Sequence, residues 1–116
     1  MAITHVFAGV PVADYEAAIE WYRRLLGRPA DRFPTEDEAV WQLTDTGLIY
    51  VVSDPERAGT ALLTLIVDDL DAWAAAVSRR GILPGEIETM GDVVRTTVIT
   101  DPEGNRIQVG QPLSPD

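Results

Sequence analysis

The sequence predicts an α+β domain built from two repeats of one β-α-β-β-β module. Residues 12–17 (Val-Ala-Asp-Tyr-Glu-Ala) recur 55 positions later as residues 67–72 (Val-Asp-Asp-Leu-Asp-Ala). Shorter matches follow in the same order with a slowly growing offset: Thr44 with Thr100, Gly47 with Gly104 and Ile49 with Ile107. Because the offset grows by single residues, the halves differ by one-residue insertions in turns, which duplicated strands tolerate. We expect side chains from both halves to converge on one cavity.

Size and composition are those of one globular domain over residues 1–116, with halves of about 1–54 and 60–111. Nine basic and nineteen acidic residues give a net charge of −10, which argues against nucleic acid or an anionic membrane as a partner. The charge would favour a cationic ligand, and solubility is the alternative reason for it. The absence of cysteine excludes disulfides, thiolate metal sites and a cysteine nucleophile. No signal or membrane-spanning segment is visible, so we expect a cytoplasmic protein.

Each half opens with a strand that leads into a helix. Residues 3–12 are rich in β-branched and small residues and predict the first strand. Asp14 is a good N-cap for a helix whose apolar residues recur at helical spacing up to Leu26, and Gly27 is the expected C-cap. The second half repeats this order, with a strand over 62–67, an N-cap at Asp69 and a helix ended by Gly81.

Each half then changes to short strands. Residues 29–37 are polar and interrupted by proline, which predicts a loop with one brief strand. The remaining strands form a hairpin in each half: 39–44 and 48–52 around residues 45–47, and 93–100 and 106–109 joined by residues 101–105. Both connections are rich in turn-forming residues. The two halves are therefore expected to share one architecture.

Strand alternation assigns side chains to the two faces of these strands. The positions expected to face the helices are all apolar: Val6, Ala8, Val10, Val12, Ile49, Val51, Leu63, Leu65 and Val67. The opposite face mixes aromatic, aliphatic and a few polar residues: His5, Phe7, Gly9, Leu48, Tyr50, Val52, Leu62, Thr64, Ile66, Arg106 and Gln108. Small-molecule pockets have this makeup, since apolar area gives affinity and a few hydrogen bonds fix orientation. The alternative is that these side chains themselves fill the concave side of the sheet, so that no ligand binds there.

Four segments, in order along nearly the whole chain, resemble the vicinal oxygen chelate superfamily: residues 12–14, 20–27, 67–70 and 101–107. That superfamily contains glyoxalase I, extradiol dioxygenases, fosfomycin-resistance enzymes and bleomycin-resistance proteins. The most specific segment is the turn Asp-Pro-Glu-Gly-Asn at 101–105, followed by the helix end Trp-Tyr-x-x-x-Leu-Gly. The resemblance implies two modules that form a cupped mixed sheet with helices on its outer face, and a homodimer, which is also the commonest oligomer.

The resemblance also locates the positions that hold a divalent metal in the family's enzymes. They fall at Phe7, Tyr50, Leu62 and Gln108. Phe7 and Leu62 supply no donor atom, and Tyr50 and Gln108 are weak ligands when neutral, so we expect no metal and no cofactor. We assign no catalytic residue. His5, the only histidine, is the best candidate for proton transfer, and a hydrogen-bonded histidine at the rim is its alternative.

These observations predict a metal-free protein of the glyoxalase/bleomycin-resistance type that binds a cationic or aromatic small molecule, with antibiotic sequestration as its role. The expected ligand-binding residues are Phe7, Tyr50, Leu62, Gln108, His5, Trp41, Thr64 and Arg106. Trp41 could stack on a ligand or lie in the core, because hairpin alternation allows both. Two alternatives stay open: a lyase, isomerase or dioxygenase-like enzyme with a non-standard or absent metal site, and a non-catalytic interaction domain.

Overall fold

A computed structural model describes residues 2–113 and contains the predicted element order twice. The first module comprises β1 (Val6–Val12), α1 (Tyr15–Leu26), β2 (Arg32–Thr35), β3 (Glu38–Gln42) and β4 (Gly47–Ser53). The second comprises β5 (Leu62–Ile66), α2 (Leu70–Arg79), β6 (Glu88–Met90), β7 (Val94–Thr100) and β8 (Arg106–Pro112). The α+β class and the two β-α-β-β-β modules are therefore confirmed.

Each module forms its own four-stranded mixed sheet. The strand orders are β1-β4-β3-β2 in the first sheet and β5-β8-β7-β6 in the second. In each sheet the edge strand that opens the module runs parallel to its neighbour, and the other pairs are antiparallel. Over residues 2–113 no strand pairing joins the two sheets. One chain thus contains two separate sheets, and β1 and β5 are edge strands at equivalent positions in them.

Both helices begin and end as local sequence chemistry requires. The Asp14 carboxylate accepts a hydrogen bond from the Ala17 amide at 3.2 Å, and Gly27 ends α1 in the left-handed conformation with φ +81°. Asp69 caps α2 in the same way, accepting from the Ala72 amide at 3.0 Å. The predicted caps are confirmed, and α2 ends at Arg79, two residues before Gly81.

Two strand predictions differ from the structure. The first strand begins at Val6 and not at residue 3, because among the described strands β1 pairs with β4 alone, and Gly47, the first residue of β4, pairs with Val6. Residues 2–5 therefore have no strand to pair with. The repeat predicts a short strand after α2, but the residues of β6 were not assigned, because all three are exposed and give no apolar alternation.

One hydrophobic core serves both modules. It joins helix residues such as Tyr22 and Leu70 to the helix-facing strand positions Val10, Val51 and Val109, all at most 1% exposed. The predicted helix-facing residues are buried or half-buried, except Val6, which is 66% exposed where it borders a cavity at the start of the edge strand. The opposite side of each sheet, hereafter the open face, carries Phe7 and Tyr50 in the first sheet and Leu62 and Gln108 in the second. The two open faces point away from the shared core.

A buried polar network fastens the first module to the turn at residues 101–105 of the second. Asp101 Oδ2 accepts hydrogen bonds from the Tyr22 hydroxyl and the Asn105 side-chain amide, both at 2.8 Å. Asn105 also donates to the Pro11 carbonyl and accepts from the Ala61 amide, both at 2.9 Å. Burial and the neighbouring Asp101 carboxylate raise the pKa of the Tyr22 phenol far above its usual range. The Asp-Pro-Glu-Gly-Asn motif is therefore a structural brace.

Candidate functional site on the open sheet faces

Four of the predicted ligand-binding residues meet on the open face of the second sheet. Leu62 and Thr64 on β5 and Arg106 and Gln108 on β8 line a cavity of about 270 Å³, together with Val98 on β7. Strands β5 and β8 are parallel neighbours, with Leu62 opposite Arg106 and Thr64 opposite Gln108. Alternation then directs all four side chains to one face in two adjacent rows. The cavity combines apolar walls with a hydroxyl, an amide and a guanidinium.

The open face of the first sheet carries an aromatic pair. The rings of Phe7 and Tyr50 meet edge to face, with their centroids 6.4 Å apart and an angle of 61° between the planes. Phe7 is 50% exposed, so the pair offers apolar surface to a ligand or a second chain. Phe7 and Tyr50 do not line the 270 Å³ cavity. The predicted site is therefore divided between two sheets within one chain.

Gly9 positions this aromatic pair, a role that sequence reasoning missed. It lies opposite Tyr50 in the parallel β1–β4 pairing, and the Tyr50 ring occupies the space above it. A Cβ atom added at Gly9 would come within 2.8 Å of both Cζ and Oη of Tyr50. A glycine inside a strand often marks such a close approach, and this was the available signal. Gly9 thus allows the phenol to lie flat across β1.

Two further predicted residues lie away from these surfaces. Trp41 is fully buried in the core, where its indole N–H donates to the Arg28 carbonyl at 3.0 Å. It has no surface to offer a ligand, so its inclusion among the ligand-binding residues was wrong. His5 is exposed before the start of β1, with Nδ1 3.0 Å from the Thr4 hydroxyl. This position matches the rim alternative.

A larger cavity of about 470 Å³ lies between the modules, bordered by helix-facing residues of both edge strands, among them Ala8 and Leu65. The β3–β4 turn borders it and, with residues 43–46 against 101–105, is one residue shorter than the turn that forms the brace in the second half. Among the described residues its polar side-chain groups are the Thr44 and Thr64 hydroxyls and the Trp73 indole N–H, and the Thr44 hydroxyl already accepts from the Gly47 amide at 2.8 Å. None of these groups is charged or an amide, so the cavity offers fewer ways to orient a ligand than the open face, where Arg106 and Gln108 stand.

The sequence over residues 2–109 matches the model of the Glyoxalase/Bleomycin resistance protein/Dioxygenase superfamily. The chain belongs to this superfamily. A glyoxalase/bleomycin resistance protein from Catenulispora acidiphila DSM 44928 is 47% identical, with 92% of this chain and 96% of that chain covered and a TM-score of 0.87. TnmS3, an antibiotic binding protein from Streptomyces sp. CB03234, is 29% identical over 97% of this chain and 98% of its own, with a TM-score of 0.78.

More distant relatives share the fold. A bleomycin-binding protein in complex with bleomycin is 19% identical, with 92% of this chain and 97% of that chain covered and a TM-score of 0.76. No match is found among proteins with curated functions. None of the helices described between residues 2 and 113 is long and apolar enough to cross a membrane. The comparisons establish the superfamily and the fold, which the sequence motifs predicted.

The superfamily's metal positions do not fit a divalent ion in this member. Phe7 and Leu62 carry no donor atoms, while Tyr50 and Gln108 carry one phenol and one amide and lie on different sheets. Divalent metals in proteins are held by imidazole, carboxylate or several convergent oxygens. Among residues 2–113 no group of three histidine, aspartate or glutamate side chains is placed to hold an ion. The open faces therefore offer surfaces for an organic ligand.

Proposed function

We propose that this protein is a metal-free binding protein for an aromatic small molecule, with antibiotic sequestration as its role. The observation that carries the proposal is the chemistry of the open faces at the superfamily's metal positions. An aromatic pair stands on one sheet, and an apolar cavity with three polar groups stands on the other. The full-length similarity to an antibiotic-binding protein supports the same ligand class.

The site is completed by a second copy of the chain. The 270 Å³ cavity lies below the range of about 300–1,000 Å³ that holds small ligands in proteins, so one more wall is needed. The edge strands β1 and β5 expose apolar side chains: Val6 is 66% exposed, Leu62 82% and Ile66 63%. Unpaired apolar edges favour pairing with another chain. Placing β1 of one copy beside β5 of the other brings the aromatic pair over the cavity, twice per two-fold dimer.

Each wall has a defined role in this arrangement. The Phe7 and Tyr50 rings stack on the planar part of the ligand, which places large apolar area on a rigid surface. Leu62 and Val98 cover the opposite side of the ligand, where each Å² of apolar surface removed from water contributes about 25 cal/mol. The Gln108 amide donates and accepts hydrogen bonds that fix the orientation of the ligand. Affinity therefore depends on both sheets.

Calorimetric titration of matched variants with aromatic antibiotics, bleomycin among them, tests this assignment. Tyr50→Ala and Leu62→Ala remove one wall each and should weaken binding at least tenfold. Leu65→Ala is the matched control, because Leu65 lines the larger cavity between the modules and lies away from the open face. Sedimentation at the titration concentrations checks that the variants stay folded. Weakening by Leu65→Ala alone would move the site to the larger cavity and overturn the proposal.

A further inference from the structure

We propose that Arg106 makes the site selective for ligands that carry an anionic group, a carboxylate or a phenolate, on the planar body. This inference rests on the proposed function and refines its ligand class. It concerns the part of the ligand that lies on the second sheet and is independent of the ligand's net charge. Three observations support it. The Arg106 guanidinium has no partner among residues 2–113, no acidic residue in that range lines its cavity, and the hydrogen-bond donors of Gln108 and Thr64 lie beside it.

Arg106 is set apart by its place on the open-face cavity, because Arg24, Arg32 and Arg79 also make no ion pair but do not line it. Four arginines hold carboxylates within 3.1 Å: Arg23 with Glu20, Arg28 with Asp31, Arg57 with Asp54 and Arg95 with Asp71. Arg80 donates to the carbonyls of Arg24 and Leu25. The Arg106 guanidinium makes no ion pair or hydrogen bond with any residue between 2 and 113, and it is the one arginine on the open-face cavity. Its donors are available to a ligand.

None of the residues between 2 and 113 that line the cavity carries a carboxylate, although the chain has nineteen acidic residues. Glu86 and Glu88 line a separate cavity of the second sheet that shares only Val98 with this one, and Glu88 lies opposite Thr96, which in turn pairs with Gly110. Strand spacings put its Cα roughly 16 Å from that of Arg106. Salt screens exposed charges beyond about 8–10 Å, so Glu88 does not neutralise Arg106. Arg106 is therefore the one charged side chain among the described residues that line the cavity, in a protein of net charge −10.

The donors around Arg106 match a planar anion. A guanidinium presents two parallel N–H groups that fit both oxygens of a carboxylate, and hydrogen bonds between charged groups are about twice as strong as neutral ones. The Gln108 amide and the Thr64 hydroxyl, on the neighbouring positions of the same face, supply further donors. Leu62 and Val98 then cover the ring that bears the anion. The cavity is therefore built for an aromatic acid.

Three probes that share one ring system and differ in one substituent test the inference by calorimetry. They are anthraquinone-2-carboxylate, the neutral anthraquinone-2-carboxamide, and 2-(aminomethyl)anthraquinone, which is a cation at neutral pH. The wild-type protein should bind the carboxylate about 10- to 100-fold more tightly than the carboxamide. Arg106→Gln should abolish this preference, and Arg106→Lys should retain part of it, because lysine keeps the charge without the planar fork. Arg79→Gln, which removes a charge at the end of α2 away from the cavity, should leave the preference unchanged.

The outcomes separate this inference from the function on which it rests. Equal affinity for the carboxylate and the carboxamide, or tightest binding of the aminomethyl cation, would overturn the role of Arg106 and leave the binding function intact. A preference for the carboxylate that survives Arg106→Gln would also overturn it. Failure of all three probes while an aromatic antibiotic binds would overturn the inference alone, and failure of the probes and of every aromatic antibiotic would refute the proposed function as well.

Discussion

Replacing Tyr22 with phenylalanine removes one buried hydrogen bond that ties α1 to the turn of the second module. The hydroxyl donates to Asp101 Oδ2 at 2.8 Å, and the ring is fully buried. A hydrogen bond to a charged group contributes about 1.5–3 kcal/mol, and Asp101 Oδ2 keeps its second donor, Asn105. We therefore expect Tyr22→Phe to lower the free energy of unfolding by about 2 kcal/mol, a large share of the stability of a small domain.

Tyr15 provides a matched control. Its hydroxyl is buried and has no hydrogen-bond partner among residues 2–113, so Tyr15→Phe removes an unsatisfied polar atom and should be neutral or stabilising. Urea denaturation with a constant m-value measures both variants, since a shift in midpoint then reports stability alone. A loss below about 0.5 kcal/mol for Tyr22→Phe, or an equal loss for both variants, would show that the brace contributes little.

The same brace predicts a response to alkaline pH. The pKa of the Tyr22 phenol is raised by burial and by Asp101, so the folded protein keeps this proton while an unfolded tyrosine, with a pKa of about 10, loses it. The hydrogen bond is fully present below pH 10, and stability falls as pH rises further, by about 1.4 kcal/mol per pH unit. Tyr22→Phe should remove the contribution of this one titrating group from the slope of stability against pH. An unchanged slope would contradict the burial of the phenol.

Three further changes test the brace, the aromatic pair and the edge strands. Asn105→Ala removes hydrogen bonds to Asp101, Pro11 and Ala61, so we expect a loss of about 3 kcal/mol or more in urea denaturation; an effect under about 1 kcal/mol would contradict the network. Gly9→Ala should displace the Tyr50 ring and weaken aromatic ligands in calorimetry, whereas unchanged affinity would show that the ring position is not needed. Leu62→Asp puts a charge on an edge strand that we propose to pair, so sedimentation velocity should show a monomer; a dimer that persists would place the interface elsewhere.

Local chemistry made the modules predictable from the sequence. Asp14, Gly27 and Asp69 cap their helices as expected, because capping needs only the residue and its next turn. The faces of β1 and β8 followed from alternation, because burial on one side fixes the register of a strand. The brace is different. Its motif was recognised, but Tyr22 and Asn105 meet Asp101 only through tertiary packing, which no local rule supplies.

The candidate site was predictable only in part. Alternation brought Leu62, Thr64, Arg106 and Gln108 to one cavity, because parallel neighbours in register keep their side chains on one face. Trp41 could not be assigned, since a hairpin residue with apolar neighbours satisfies either face, and its indole partner is a carbonyl 13 residues earlier. The division of the site between two sheets also escaped the sequence, because the repeat defines each module and leaves the packing between modules undefined.

We propose that the open faces bind an aromatic ligand without a metal, and calorimetry on metal-depleted protein tests this. Purified protein is treated with EDTA, its metal content is measured, and it is titrated with aromatic antibiotics beside untreated protein. We expect the same affinity before and after treatment, with one ligand per chain, because Phe7, Tyr50, Leu62 and Gln108 bind through apolar contact and hydrogen bonds. Binding that needs stoichiometric zinc, nickel, manganese or iron, or no binding by any compound, would contradict the claim.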